Sequence, residues 1–133
     1  MIRFRQVDNG IRSSAAVYAL DPLIMGLAPA WAIPLALKRA GLTPDQVDVW
    51  EIHEAFSAQA LGVLRELSNQ LGGFTDPNGG AVATCHPFGA SGTRYVLTLA
   101  TELRERNARY WVTGVCIGSG QGIALVIENP QAR

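Results

Sequence analysis

A chain of 133 residues has room for one domain with its own core. Its 11 basic and 11 acidic residues cancel, which argues against a nucleic-acid surface, since neutralising phosphates asks for a basic excess. With 48% hydrophobic and 17% charged residues it is no disordered chain, and two cysteines are too few for a disulfide scaffold, so a reduced, cytoplasmic setting is expected.

Residues 1–24 carry weak periodicity and define no element. Their first six, Met1 to Gln6, lack the apolar run of a signal peptide. The longest apolar stretch, Ala28 to Leu37, is too short for a membrane span and contains Pro29 and Pro34. From Pro29 to Ala40 the pattern is helical, with Lys38 and Arg39 in the last turn and Gly41 as the stop. Pro34 is expected in or near the first turn, where a missing N–H is tolerated. Thr43-Pro44-Asp45-Gln46 reads as a capped single turn, with Gln46 reaching back to Thr43.

Val47 to Ile52 is strand-like despite two acids. Phe56, Ala60, Val63, Leu64, Leu67 and Leu71 recur at helical spacing, so an amphipathic helix is predicted from Ala55 to Gln70. A glycine-rich passage, Gly79 to Gly92, leads into a further helix from about Ser91 to Arg106. Two β-branched and aromatic runs, Tyr110 to Cys116 and Ile123 to Glu128, flank the short connection Ile117 to Gly122 and predict an antiparallel hairpin. Alternating helices and strands with a terminal hairpin make the chain α/β with a mixed sheet.

Chemistry gathers on few residues. His53 follows one strand, Cys116 ends another, and His86 follows the segment Gly79–Thr84, so three proton-handling groups are expected to meet at one sheet edge. Such a set suits nucleophilic or acid–base work on an acyl group. Gly118, Gly120 and Gly122 would then let backbone approach a substrate and aim N–H groups at an oxyanion. Taken alone, the same residues read equally as a small buried hydrophobe and two structural histidines. A zinc site lacks close-paired ligands, and Gly89 to Arg94 lacks the lysine of a phosphate loop. Nothing in the composition asks for a Cys85–Cys116 disulfide, although sequence leaves it open.

Longer motifs decide between these readings. The run Asn78-Gly79-Gly80-Ala81-Val82-Ala83-Thr84-Cys85-His86-Pro87-Phe88-Gly89-Ala90-Ser91-Gly92-Thr93-Arg94 closely resembles the thiolase signature, NGGAIA followed by GHP, GASG and Arg. His53-Glu54-Ala55-Phe56-Ser57 resembles the family's NEAF/HEAF block, in the His form of the trifunctional-enzyme β subunits. Cys116 to Gly122 resembles its C-x-G-G-G-x-G block, and Asp21 to Gly26 its DPxxMG segment. The resemblance implies the C-terminal half of the thiolase fold, a mixed β-sheet flanked by helices with a terminal β-hairpin. It would occupy residues 15–133, incomplete at its start, with residues 1–14 as an N-terminal arm or a remnant of upstream sequence around Asp8 to Arg12.

What the resemblance implies about function is an acyltransferase acting on CoA thioesters, by thiolysis of 3-ketoacyl-CoA or by Claisen condensation. His86 would activate the nucleophilic cysteine, Cys116 would be the general acid/base, and His53 would hold a thioester oxygen or a water. The N–H of Gly118 would serve a second oxyanion hole, and Ala55 and Phe56 would line the acyl or pantetheine channel. No metal and no covalent cofactor are implied; coenzyme A enters as substrate. Two departures stand out within the motifs. Cys85 replaces the glycine before His-Pro, and Ser119 replaces a glycine of the last block. The family's nucleophile block and its NxSGxxDGA block are not found in these residues. The partners expected are therefore acyl-CoA and either a thiolase N-terminal half or further copies of the chain. The alternative is a non-catalytic thiolase-like module that serves only in assembly.

Overall fold

A strand, β1 (Ser14–Ala19), opens the described part of the computed structural model, which covers residues 14–67 and 71–132. The arm expected before it lies outside the described residues, except Ser14, which already belongs to β1. The Asp21 carboxylate accepts from the Leu23 N–H at 2.9 Å and starts a 3-10 turn over Pro22–Leu27. Helix α1 (Pro29–Ala40) follows and stops at Gly41, as its sequence predicts. Pro34 departs from expectation. It lies inside α1, past the first turn, and removes the N–H that would meet the Ala30 carbonyl.

The Thr43–Gln46 turn forms as read, with Gln46 Oε1 accepting from the Thr43 N–H at 2.9 Å. Strand β2 (Val49–Ile52) and helix α2 (Ser57–Leu67) come next; the predicted end of that helix at Gln70 lies outside the described residues. Two short elements are additions to the sequence reading: strand β3 (Phe74–Thr75) and the single turn α3 (Ala81–Thr84). The segment that His86 follows is therefore a helical turn and not a strand, so only His53 and Cys116 stand at strand ends. Helix α4 (Ser91–Glu105) and strands β4 (Tyr110–Ile117) and β5 (Gln121–Glu128) complete the order.

The sheet runs β1-β5-β4-β2-β3. Strands β4 and β5 form the predicted antiparallel hairpin, and β1 adds antiparallel to β5. Parallel pairing joins β2 to β4 and to β3, so the sheet is mixed. One acid of β2's approach explains itself here. Asp48 Oδ2 accepts from the N–H groups of Arg109 and Tyr110, at 2.7 and 2.9 Å, and so pins the start of β4.

Side chains alternate across each strand and divide the core in two. Trp50, Ile52, Val112, Ala124 and Val126 pack with Ile33, Ala36 and Leu37 of α1 and Val63 and Leu67 of α2. On the other face Val49 and Trp111 pack under Tyr95, Leu99 and Leu103 of α4. The result is helix, sheet and helix in three layers. Among the described residues no helix is long and apolar enough to cross a membrane.

Candidate functional site

Strand β2 hands its ladder on to His53, whose N–H donates to the Gly114 carbonyl at 2.9 Å. Alternation places His53 on the face of Val49 and Glu51, beneath α4. There its Nδ1 lies 2.5 Å from the hydroxyl of Tyr95, and both residues are only 2% exposed. Burial, then the neighbouring His86 and Arg94, hold His53 below the ordinary histidine range, against a smaller opposite pull from Glu54.

His86 comes to the same place from the loop between α3 and α4. The two imidazoles lie 4.3 Å apart, centroid to centroid, tilted by 51°. Phe88 stands edge-on to His86 at 5.0 Å. His86 Nδ1 is 2.6 Å from Ser91 Oγ, which in turn donates to the Pro87 carbonyl at 3.3 Å. The one Ser91 proton can serve only one of these contacts, and on the Pro87 carbonyl it leaves the hydroxyl oxygen to accept from His86. In that arrangement Nδ1 carries the ring proton and Nε2 keeps a free lone pair, the state a base needs.

The loop carrying His86 is clamped from two sides. Arg94 donates to the carbonyls of Thr84 and Cys85, at 2.9 and 2.8 Å. Glu54 Oε2 accepts from the Val82 N–H at 3.0 Å, tying the end of β2 to the first turn of α3. Between these clamps Cys85 has φ 64° and ψ 172°, a region that is essentially glycine's alone. The backbone thus has the shape that suits the glycine which the motif resemblance implies there, and an exposed Cys85 sits on it under strain. Cys85→Gly is expected to stabilise the chain by about 1–3 kcal/mol in chemical denaturation; an unchanged or lower stability would count against stored strain.

Cys116 is 8% exposed and sits near the end of β4, opposite Gly122. Because β2 and β4 are parallel, with Ile52 paired to Gly114, His53 and Cys116 share one sheet edge. Parity separates their faces, however. Cys116 shares a face with Val112 and Gly114, toward α1, and His53 faces α4. Among the described residues no hydrogen bond or ring contact joins Cys116 to either histidine. Burial pushes the Cys116 thiol up, so it rests protonated and ready to give a proton.

The glycines of the last motif divide. Gly118 (φ 57°) lies in the three-residue hairpin loop, where the Ser119 N–H donates to Gln121 Oε1 at 3.2 Å. A side chain on Gly120 would lie 2.5 Å from the Leu20 carbonyl, and one on Gly122 would lie 2.5 Å from the carbonyl carbon of Ala28. These two close approaches are to the chain itself, which corrects the reading of all three as room for a substrate. Ser119 is exposed at the tip of the loop.

Ala55 and Phe56 lead into α2. The Ala55 N–H donates to Gln59 Oε1, and Gln59 Nε2 donates to the Gly26 carbonyl, both at 3.0 Å, so the Asp21–Gly26 segment is stapled beside this corner. Phe56 is 72% exposed. Behind His53, burial drives Glu51 up to about 8, with Asp76 and then Glu54 and Glu102 adding to it and Arg94 opposing. Asp76, whose Oδ1 accepts from the Ile52 N–H at 2.8 Å, is itself pushed up to about 6, chiefly by burial. Among the described residues no three His, Cys, Asp or Glu side chains are grouped to hold a metal ion, and both cysteines are free thiols.

Residues 8–129 match the family model described as thiolase, C-terminal domain. The chain belongs to the thiolase family. Over 122 residues it is 47% identical to peroxisomal 3-ketoacyl-CoA thiolase B of Rattus norvegicus, a match covering 91% of this chain and 28% of that protein. Over 115 residues it is 49% identical to the 3-oxoadipyl-CoA/3-oxo-5,6-dehydrosuberyl-CoA thiolase of Escherichia coli K12, covering 86% of this chain and 29% of that one. The human mitochondrial 3-ketoacyl-CoA thiolase in complex with CoA superposes with a TM-score of 0.81 at 44% identity, over 87% of this chain and 29% of its own. The thiolase domain described here thus spans less than a third of the length of these relatives.

Within this thiolase domain, the structure adds residues that sequence reading left unassigned. Ser91 and Arg94 stood inside the quoted motif, yet only coordinates show that one orients His86 and the other holds the preceding loop. Tyr95 lies in the helix predicted from about Ser91 to Arg106, and no role is read for it there. Its hydroxyl leaves no trace in a hydrophobic pattern.

Proposed function

We propose that this thiolase domain supplies the acid–base and oxyanion-binding side of a site that makes or cleaves 3-ketoacyl-CoA thioesters. The observation that carries the reading is the packed pair of His53 and His86, with distinct hydroxyl partners, at the sheet edge where Cys116 also ends its strand. His86, with its free Nε2, activates the nucleophilic cysteine. Cys116 gives or takes the proton of the incoming thiol or of the acetyl α-carbon. His53 and the Gly118 N–H bind thioester oxygens, and Ala55 and Phe56 line the acyl or pantetheine channel. Neither Cys85 nor Cys116 is at the nucleophile's place, so that cysteine comes from a thiolase N-terminal half, fused or separate.

An apolar strip supports such a partner. Val17, Ile117 and Ile123 lie on the sheet face that α4 only partly covers, and they remain 53%, 38% and 37% exposed. A strip of this kind asks for cover, by an N-terminal half or by a second copy. Free thiols agree with the reducing, cytoplasmic setting proposed for it.

Assembly with a thiolase N-terminal half should therefore yield cleavage of a 3-ketoacyl-CoA by CoA. His86→Ala or Cys116→Ala should lower that rate by about 10²–10⁴-fold. An assembled complex whose turnover survives both substitutions would sink the assigned roles. A stable complex without turnover would favour a purely assembling module.

A further inference from the structure

We propose that Tyr95 is a positioning residue that fixes His53 as its neutral Nε2–H tautomer, leaving that histidine able only to donate on the side away from Tyr95. The geometry is a 2.5 Å contact between the Tyr95 hydroxyl and His53 Nδ1, with both side chains almost wholly buried. A neutral imidazole has one N–H and one lone pair, and a phenol has one proton to place. The direction of the bond follows from where that proton can go.

Ser91 Oγ donates to the Pro87 carbonyl at 3.3 Å and lies 2.6 Å from His86 Nδ1. Arg94, 5.3 Å from the Tyr95 ring centroid, is a donor only and cannot take the phenolic proton. Among the described residues, the acceptor within hydrogen-bond distance of the Tyr95 hydroxyl is His53 Nδ1. Were His53 to donate from Nδ1, the buried phenolic proton would be left without a partner, at the full cost of its desolvation. The proton therefore runs from Tyr95 to Nδ1, and the ring proton of His53 sits on Nε2.

The two neighbouring, mutually tilted histidines then hold opposite states. His53 presents an N–H and His86 presents a lone pair, although both are neutral imidazoles in contact at 4.3 Å. A thioester oxygen needs the first, and a thiol to be deprotonated needs the second. That use rests on the proposed thiolase chemistry; the tautomer itself does not.

The test needs no turnover. The chain has two histidines, so ¹⁵N-labelled protein gives a simple long-range ¹H–¹⁵N spectrum, assigned with a His86→Gln variant. In the wild-type chain at neutral pH, His53 should show a protonated Nε2 and an unprotonated Nδ1. Tyr95→Phe keeps the ring packing and removes the hydroxyl. It should shift the ratio of the two His53 tautomers by about tenfold, so that the Nδ1–H form becomes visible. A wild-type His53 protonated at Nδ1 overturns the proposal, and that reading stands even if Tyr95→Phe fails to fold. A folded Tyr95→Phe chain with the same locked tautomer overturns it too. Because the spectrum is read on the chain alone, it stands or falls apart from the turnover of any assembled complex.

Discussion

Between about pH 6 and about pH 9 the unfolding free energy of this domain should fall by about 2–3 kcal/mol, and Glu51 is the cause. Glu51 lies in β2 with only 4% of its surface exposed, and its folded pKa is raised from 4.5 to about 8. Burial is the largest reason, since desolvation penalises the carboxylate. Asp76, Glu54 and Glu102 add repulsion, and the Arg94 guanidinium opposes it. The sign follows directly. Between 4.5 and about 8 the folded chain keeps a proton that the unfolded chain has lost, so stability is fullest at low pH and drains away as pH rises through 8.

Asp76 acts in the same sense over a lower range, from 3.8 to about 6, and so contributes little above pH 6. His53 acts oppositely. Its lowered pKa favours the neutral ring in the folded state, so its share of stability is lost as pH falls below 6.5. Urea unfolding at several pH values checks the sum. Glu51→Gln, which mimics the protonated acid, should remove most of the alkaline slope. A wild-type domain equally stable at both ends of the range would refute this account, as would a Gln variant that keeps the slope.

The second large effect is steric. Gly122→Ala should cost about 3 kcal/mol or more. A methyl at this position would lie 2.5 Å from the carbonyl carbon of Ala28 and 2.6 Å from the Pro29 nitrogen. Both are backbone atoms, and they cannot rotate aside. Nor can α1 retreat, because Ala32, Ile33 and Ala36 on its inner face are completely buried against the sheet. Gly92→Ala is the matched comparison. A methyl there meets open space in the first turn of α4, so little loss of stability is expected. Equal denaturation midpoints for the two variants would refute the packing role given to Gly122.

These two glycines show why the sequence was legible in part. A glycine advertises that something comes close, but not what. The motif reading assigned Gly122 and Gly120 to a ligand, whereas Ala28 and Leu20 occupy those approaches. Strong periodicity carried α1, α2, α4 and the hairpin, each long enough for a pattern to repeat. Strand β3 has two residues and α3 four, too few for any period. Strand β1 escaped for another reason. It is an edge strand of small residues, exposed on both faces at Ala15, Val17, Tyr18 and Ala19, so apolar and polar positions do not alternate.

The motifs located the two histidines and the cysteine, and the fold does bring His53 against His86. The hydroxyls that orient them lie on α4, one at its first residue and one a turn later. Only the packing of α4 on the sheet brings those hydroxyls over β2, and packing is not written in local sequence. The separation of Cys116 from His53 is likewise a matter of register. Pairing Ile52 with Gly114 decides it, and a shift by one residue would put both side chains on the same face.

That register has a stereochemical consequence for the proposed reaction. A hydrogen bond to a carbonyl oxygen lies near the plane of the carbonyl group. A proton leaving the adjacent carbon must depart at right angles to that plane, so that the freed electron pair can join the π system. One reactive carbon therefore needs its donor and its base in two perpendicular directions. Adjacent parallel strands that end with His53 on one face and Cys116 on the other set the two groups on opposite sides of a single rim, so the tilt of a thioester between them decides which requirement each meets. A thioester lying across the end of the sheet would meet the oxygen-binding group from one side and the proton-transferring thiol from the other.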